Sequence, residues 1–121
     1  MAHPYFSVVI PTLNEERYLP KLLACLSRQI DKDFEVAVVD GHSEDKTQKV
    51  AAKFASKLPS FRIIDSLKRN VSIQRNLGAR QSSGKFLVFF DADVTIPTNF
   101  LSQTHHYLTE NPHCRFLTTW H

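Results

Sequence analysis

The sequence predicts an α/β fold with a mainly parallel sheet, on three observations. Short apolar runs alternate with amphipathic stretches, the connections between them are brief and punctuated, and no internal repeat or low-complexity segment interrupts the series. Together these mark successive βαβ units. At 121 residues, 42% hydrophobic and 22% charged, the chain has the composition of one domain with one core.

The first strand is expected at about residues 6–10, where Phe6-Ser7-Val8-Val9-Ile10 meets Pro11. Asn14-Glu15-Glu16 follows, a capping residue type with two acids that complement the positive end of a helix. Proline is costly inside a helix and welcome in its first turn, so Pro20 predicts a short turn over 15–18 and a main helix starting near Pro20. Leu19, Leu22, Leu23 and Leu26 would form its buried stripe. A second strand is expected at 35–39. The next helix should open after Ser43, with Glu44 and Asp45 behind the cap and Val50, Ala51, Phe54, Ala55 and Leu58 recurring at helical spacing, and stop at Pro59. A third strand at 61–65 leads to a helix at 71–81 with Ile73 and Leu77 on one face and Ser83-Gly84 as its exit. The fourth strand, at 85–90, reads as a core strand because its run is so apolar. A last helix over 97–110 carries Phe100, Leu101, Tyr107 and Leu108, and a weaker strand is expected at 115–120.

Several classes fall away on composition. The apolar runs are far shorter than the roughly 20 residues of a membrane helix, and nothing in Met1-Ala2-His3-Pro4 resembles a signal peptide, so the expectation is a soluble, cytoplasmic chain. Cys25 and Cys114 lie far apart without a second thiol at metal-ligand spacing, which argues against zinc and against a disulfide framework. His105 and His106 are adjacent, so on a helix their rings diverge by about 100° rather than converge on an ion. Net charge is +3, but residues 62–85 hold Arg62, Lys68, Arg69, Arg75, Arg80 and Lys85 against Asp65 alone. Such an excess suits a phosphate-bearing partner or a solvated face.

The chemistry gathers where strands end. Three polar loops, residues 11–15, 40–45 and 91–93, each begin as an apolar strand stops, and parallel neighbours would bring them to one crevice at the sheet's carboxyl edge. Asp91 and Asp93, one residue apart, suit a hard divalent cation such as Mg²⁺ or Mn²⁺ that also keeps phosphate oxygens and waters. Taken alone, the pair reads equally as an acidic turn. Asp40 can accept from the imide N–H of a base or from a ribose hydroxyl, or serve as a capping or turn aspartate. No G-x-G-x-x-G and no G-K-[ST] occurs, so phosphate charge must be met by a cation and by arginine or lysine.

Four segments then carry a resemblance: Ser7-Val8-Val9-Ile10-Pro11-Thr12-Leu13-Asn14-Glu15-Glu16, Val38-Val39-Asp40-Gly41-His42-Ser43-Glu44-Asp45-Lys46-Thr47, Arg75-Asn76-Leu77-Gly78-Ala79-Arg80 and Phe89-Phe90-Asp91-Ala92-Asp93. In this order and at these separations they resemble the family 2 glycosyltransferases of the GT-A fold. The resemblance implies a three-layer α/β/α, Rossmann-like domain over residues 1–121, truncated after the Asp-x-Asp, that holds the nucleotide-sugar-binding half and lacks the acceptor half. It implies an inverting transferase using a nucleotide-diphospho-sugar, commonly a UDP-sugar, with Mg²⁺ or Mn²⁺. Carried over residue by residue, Pro11, Thr12 and Glu15 would line the nucleoside pocket and Asp40 would hold the base. Arg75, with Lys68 or Arg69, would approach the base or diphosphate. Asp91 would address the ribose or sugar and share the metal with Asp93.

This sequence departs from the family in two places. Many members carry Asp-Asp-Gly-Ser where this chain has Asp40-Gly41-His42-Ser43, so the role of the second acid does not transfer. Nor does any recognisable motif supply the base that removes the acceptor's proton: Glu110, the acid following Asp93, falls near the end of the last helix. The acceptor, whether glycan, lipid carrier or protein, is left open, and a lipid-linked one would place the chain peripherally at a membrane. Self-association through the face left uncovered by the absent half is expected. A non-catalytic nucleotide-binding module is the alternative. Nucleic acid is disfavoured, because Asp40, Asp91 and Asp93 would repel a polyanion from the same edge.

Overall fold

The structure, a computed structural model, describes residues 3–114. Four strands alternate with helices in the order β1 (Phe6–Thr12), α1 (Leu19–Ser27), β2 (Phe34–Asp40), α2 (Thr47–Ala52), β3 (Phe61–Asp65), α3 (Val71–Arg80), β4 (Phe86–Phe89) and α4 (Phe100–Glu110). All neighbouring strands are parallel, and their spatial order is β3-β2-β1-β4. The chain winds outward from β1 through β2 to β3, then crosses back to place β4 on the other side of β1. Such a reversal opens a crevice beyond the carboxyl ends of β1 and β4.

Period-two alternation sorts β1 between two apolar layers. Phe6, Val8 and Ile10 face the larger one, together with Phe34, Val36 and Val38 of β2, the leucines of α1, Ala51 of α2, and Leu101 and Leu108 of α4. Val9, Ala37, Val39 and Ile64 face the smaller one, under Leu77 of α3. The molecule is therefore three-layered, with α3 alone on its face among the described helices. The expected stripe of Leu19, Leu22, Leu23 and Leu26 is buried, and α1 begins at Leu19 with Pro20 in its first turn.

Three expectations need correction. First, α3 turns a different face to the sheet: Ile73 is exposed, whereas Gln74 and Gly78 are buried with Leu77 beside them. Gly78 is the reason. A Cβ there would stand 2.4 Å from Val9 Cγ1 and 3.0 Å from Val39 Cγ2, so the missing side chain lets the helix settle onto β1 and β2. Gly78→Ala is expected to cost about 1–3 kcal/mol, the usual cost of overpacking, read as a lowered thermal midpoint. Second, β4 lies at the edge among the described strands and is half-exposed rather than buried, with Leu87 44% and Phe89 43% exposed, because α3 lies over β1 and β2 and leaves that face of β4 uncovered. Third, α2 starts at Thr47, three residues later than the Ser43 cap implies, and the apolar pattern beyond Ala52 continues through a 3-10 turn at Ala55–Lys57. Residues 43–45 are held instead by contacts to the loop after β1. The strand expected at 115–120 lies outside the described residues.

Candidate nucleotide-sugar site

The loop after β1 and the loop after β2 are locked together by one asparagine. Asn14 adopts a left-handed backbone (φ 53°), which asparagine tolerates, and its Oδ1 accepts from the amides of Glu44 (2.9 Å) and Asp45 (3.3 Å). Its own N–H donates to Ser43 Oγ at 2.8 Å. The next two residues continue the clasp, Glu15 N–H donating to Thr47 Oγ1 (2.8 Å) and Glu16 N–H to Asp45 Oδ2 (3.2 Å). Asn14 is thus a clamp between loops rather than a helix cap. One wall of the crevice gains a fixed shape from it.

Asp40 closes β2 beneath this clasp. Its side chain is 0% exposed, and both oxygens are occupied: Oδ1 accepts from Thr12 Oγ1 (2.7 Å) and Ser43 Oγ (2.6 Å), Oδ2 from Ser43 N–H (2.9 Å) and Gln48 Nε2 (2.9 Å). Burial pushes this carboxyl up, but the bonds from Ser43, Gln48 and Thr12 outweigh it and hold the group below its ordinary value. The expected base-holding role does not match this placement, since every lone-pair direction is committed to the protein. Asp40 instead fixes the loop that follows.

The opposite wall comes from β4. Beyond Phe89 the chain turns, Val94 N–H donating to Asp91 O (3.2 Å), with Phe90 and Ala92 buried and Asp91 and Asp93 exposed on the crevice. Beyond them, Gln29 ties the chain down, donating to Pro97 O (2.7 Å) and accepting from Leu101 N–H (3.0 Å). Between the walls lies a crevice of about 320 Å³, within the range of small-molecule sites. Its floor and sides include Pro11, Thr12, Leu13 and Glu15 from the first loop, Arg69, Val71 and Gln74 from the start of α3, and Asp91, Ala92 and Asp93.

Of the residues expected at the site, Pro11, Thr12, Glu15, Arg69, Asp91 and Asp93 meet there. Lys68 and Arg75 are not part of the lining. Arg69 reaches it with its charge already engaged, donating to Gly41 O (3.0 Å) and His42 O (2.8 Å) and pairing with Glu44. Arg75 pairs with Asp91 at 3.3 Å, and its Nε is buried without a partner among the described residues. Val71 and Gln74 line the crevice without having been expected, and Leu13 and Ala92, in loops expected there, join the lining without an assigned role. For Gln74 the sequence carries no signal, because a polar residue in α3 reads as its solvent face.

The crevice is strongly anionic. Burial raises the Glu15 carboxyl above its ordinary value, and the charges of Asp93, Asp45 and Asp91 push it the same way. A raised carboxyl costs stability once ionised, and that cost vanishes as pH falls through the folded-state value. Glu15→Gln should therefore raise the melting temperature at pH 7 by about 1–3 °C, with the gain shrinking on acidification, as thermal melts across pH would read. Asp93 has no hydrogen-bond or ion-pair partner among the described residues, where no group of three or more acids, histidines or cysteines is placed to hold a metal. Two hard carboxylates open to solvent fit an ion that completes its shell with phosphate oxygens and water, as Mg²⁺ does.

Comparison with known proteins identifies the family. Residues 7–117 match the model of glycosyl transferase family 2, and the chain belongs to that family. A PGL/p-HBAD biosynthesis glycosyltransferase of Mycobacterium tuberculosis is 40% identical over 97 residues, 79% of this chain and 38% of the relative. Among solved structures, TarS of S. aureus in complex with UDP-GlcNAc superposes with a TM-score of 0.82 at 27% identity, covering 94% of this chain and 37% of that one. The mannosyltransferase PcManGT of Pyrobaculum calidifontis, in complex with GDP-Man and Mn²⁺, gives 0.80 at 26% identity over 89% of this chain and 33% of that one. These neighbours carry the α/β GT-A fold. The chain spans little more than a third of the length of the mycobacterial relative.

Proposed function

We propose that this chain is the donor-binding part of an inverting glycosyltransferase that takes a nucleotide-diphospho-sugar, with uridine as the nucleoside, for transfer to a hydroxyl of a glycan, lipid carrier or protein. The observation that carries the reading is the Asp93 carboxylate, without a partner among the described residues, set beside Asp91 on the rim of a nucleotide-sized crevice at the topological switch of the sheet. Asp91 and Asp93 would hold Mg²⁺ or Mn²⁺ between protein and diphosphate, and such an ion supplies charge stabilisation to a departing nucleoside diphosphate. The residues of the chain do the remaining work. Pro11, Thr12 and Leu13 present a rigid wall to the nucleoside, and the clasp from Asn14 to Asp45 keeps that wall in place. Relatives solved with UDP-GlcNAc and with GDP-Man and Mn²⁺ support both donor class and metal.

A second reading, nucleotide binding without transfer, is favoured by one observation. Glu110 lies at the end of α4, exposed and within 3.2 Å of His106 Nε2, away from the crevice-lining residues. Donor binding is common to both readings and is tested first. Calorimetric titration with UDP, UDP-GlcNAc and GDP-mannose should show saturable binding with Mn²⁺ or Mg²⁺ and its loss with a chelator. Binding that ignores the chelator would remove the ion from the reading, and no binding of any diphosphate would end it. Turnover of a bound donor would then exclude the non-catalytic alternative.

A further inference from the structure

Over the carboxyl ends of β1 and β2, on the side of β1 away from β4 and the aspartates that follow it, the crevice is lined by a single buried amide. Gln74 is 2% exposed, and its Nε2 donates to the carbonyls that close two strands, Thr12 O at 3.0 Å and Val39 O at 2.8 Å. Two acceptors at one end of an amide settle which way round it stands, because turning it over would set Oε1 against two carbonyl oxygens. Oε1 must then face the other way. No group among the described residues donates to it, while the side chain forms part of the crevice lining.

What surrounds Oε1 keeps it open. A Cβ at position 41 would stand 3.4 Å from this oxygen, and residue 41 is glycine, so no side chain covers it. The neighbouring acceptors are all engaged: Gly41 O and His42 O by Arg69, Thr12 O by Gly41 N–H and Gln74, and Asp40 by its four donors. Among the described residues, Gln74 Oε1 is a fixed, uncharged side-chain acceptor left without a donor here. A ligand placing its phosphates toward Asp91 and Asp93 would bring its base here.

We infer that Gln74 Oε1 reads the base, accepting a hydrogen bond from a ring N–H, and so selects uracil, whose N3 is a donor, against cytosine, whose N3 is an acceptor. Lone pair would oppose lone pair with cytosine, at nearly the same size and shape. The assignment rests on the donor-site reading above. It also gives the glycine at position 41 a consequence: the acceptor that meets the base comes from α3 rather than from the loop after β2.

Ligand pairs test it on the chain as it stands. With Mn²⁺ present, CDP and UDP methylated at N3 should each bind about tenfold or more weaker than UDP, the loss expected when one hydrogen bond is replaced by a mismatch. In Gln74→Met, similar in volume and unable to accept, UDP and CDP should fall within about twofold of one another, with retention of fold checked by thermal melting. If that variant melts too low to titrate, Gly41→Ala takes its place, since its Cβ meets only ordinary contacts and partly covers Oε1; the UDP-to-CDP ratio should shrink. Metal-dependent UDP binding with no discrimination against CDP or the methylated base, or discrimination that survives in the variants, would overturn the Gln74 assignment alone. Absence of diphosphate binding altogether would overturn the donor-site reading and this one with it.

Discussion

Asp93→Ala is expected to weaken ion-dependent UDP binding by at least about 100-fold while leaving the fold intact. Asp93 has no partner among the described residues, whereas Asp91 shares its charge with Arg75 at 3.3 Å, so Asp93 is the freer ligand. Changing a group that merely orients a metal ligand already costs about 10–100-fold in affinity, and removing one of two direct ligands should cost more. Stability should change little, within about 0.5 kcal/mol, because an exposed side chain without contacts is lost while buried Ala92 and Phe90 still anchor the loop. The sign of a control is also set: without metal, removing one negative charge from a crevice that already repels anions should leave UDP binding unchanged or slightly improved. Calorimetry with and without Mn²⁺ reads both quantities. Equal affinity of the variant in the presence of Mn²⁺ would remove the metal assignment. Asp91→Ala should also weaken binding, but less cleanly, since it frees the Arg75 guanidinium as well.

The pattern of what could be read from the sequence follows the range of the interactions involved. Strand positions were legible to within one or two residues because alternation is local: Phe6, Val8 and Ile10 against Ser7 and Val9 already announce two faces. Pro20 marked the start of α1 for an equally local reason. Asp91 and Asp93 were legible as a pair because they follow directly on an apolar strand, in the connection that reaches the carboxyl edge of the sheet. The start of α2 was not, because Ser43 is taken by Asp40 and by Asn14, 29 residues away in sequence. Basic residues were the least readable. Arg62 donates to Gln81 O, Arg69 to Gly41 and His42, and Lys85 lies over the rings of Tyr5 and Phe86, so a run that looks like one patch is dispersed by long-range partners. Gln74 and Gly78 escaped notice for a different reason: they are buried for closeness and hydrogen bonding, which hydrophobic periodicity does not record.

Asp40→Ala should be the most damaging single change to the fold, lowering stability by about 3 kcal/mol or more, or roughly 10–15 °C in melting temperature. Four donors converge on this carboxylate, and each buried donor left unpaired costs about 1–3 kcal/mol. Gln48 can recover, since its Nε2 already donates to Asp65 Oδ1 at 2.7 Å, so the loss concentrates on the Thr12 hydroxyl and the Ser43 N–H and hydroxyl. The direction of the pH dependence follows from the depressed carboxyl. A group held below its ordinary value contributes stability that is fully present above that value, about 3.9 for an aspartate, and is lost as pH falls through the lower folded-state value. The gap between wild type and variant should therefore be constant from pH 7 to about 5 and narrow below about pH 4. Glu35 and Asp45 are depressed as well and steepen acid unfolding in both proteins, so the gap isolates Asp40. Nucleotide binding separates the two roles this residue could have. A carboxylate that fixes the loop without touching the base leaves the folded variant with UDP affinity within several-fold of wild type, measured well below its melting temperature. A variant that melts like wild type but binds UDP far more weakly would return Asp40 to the nucleoside pocket.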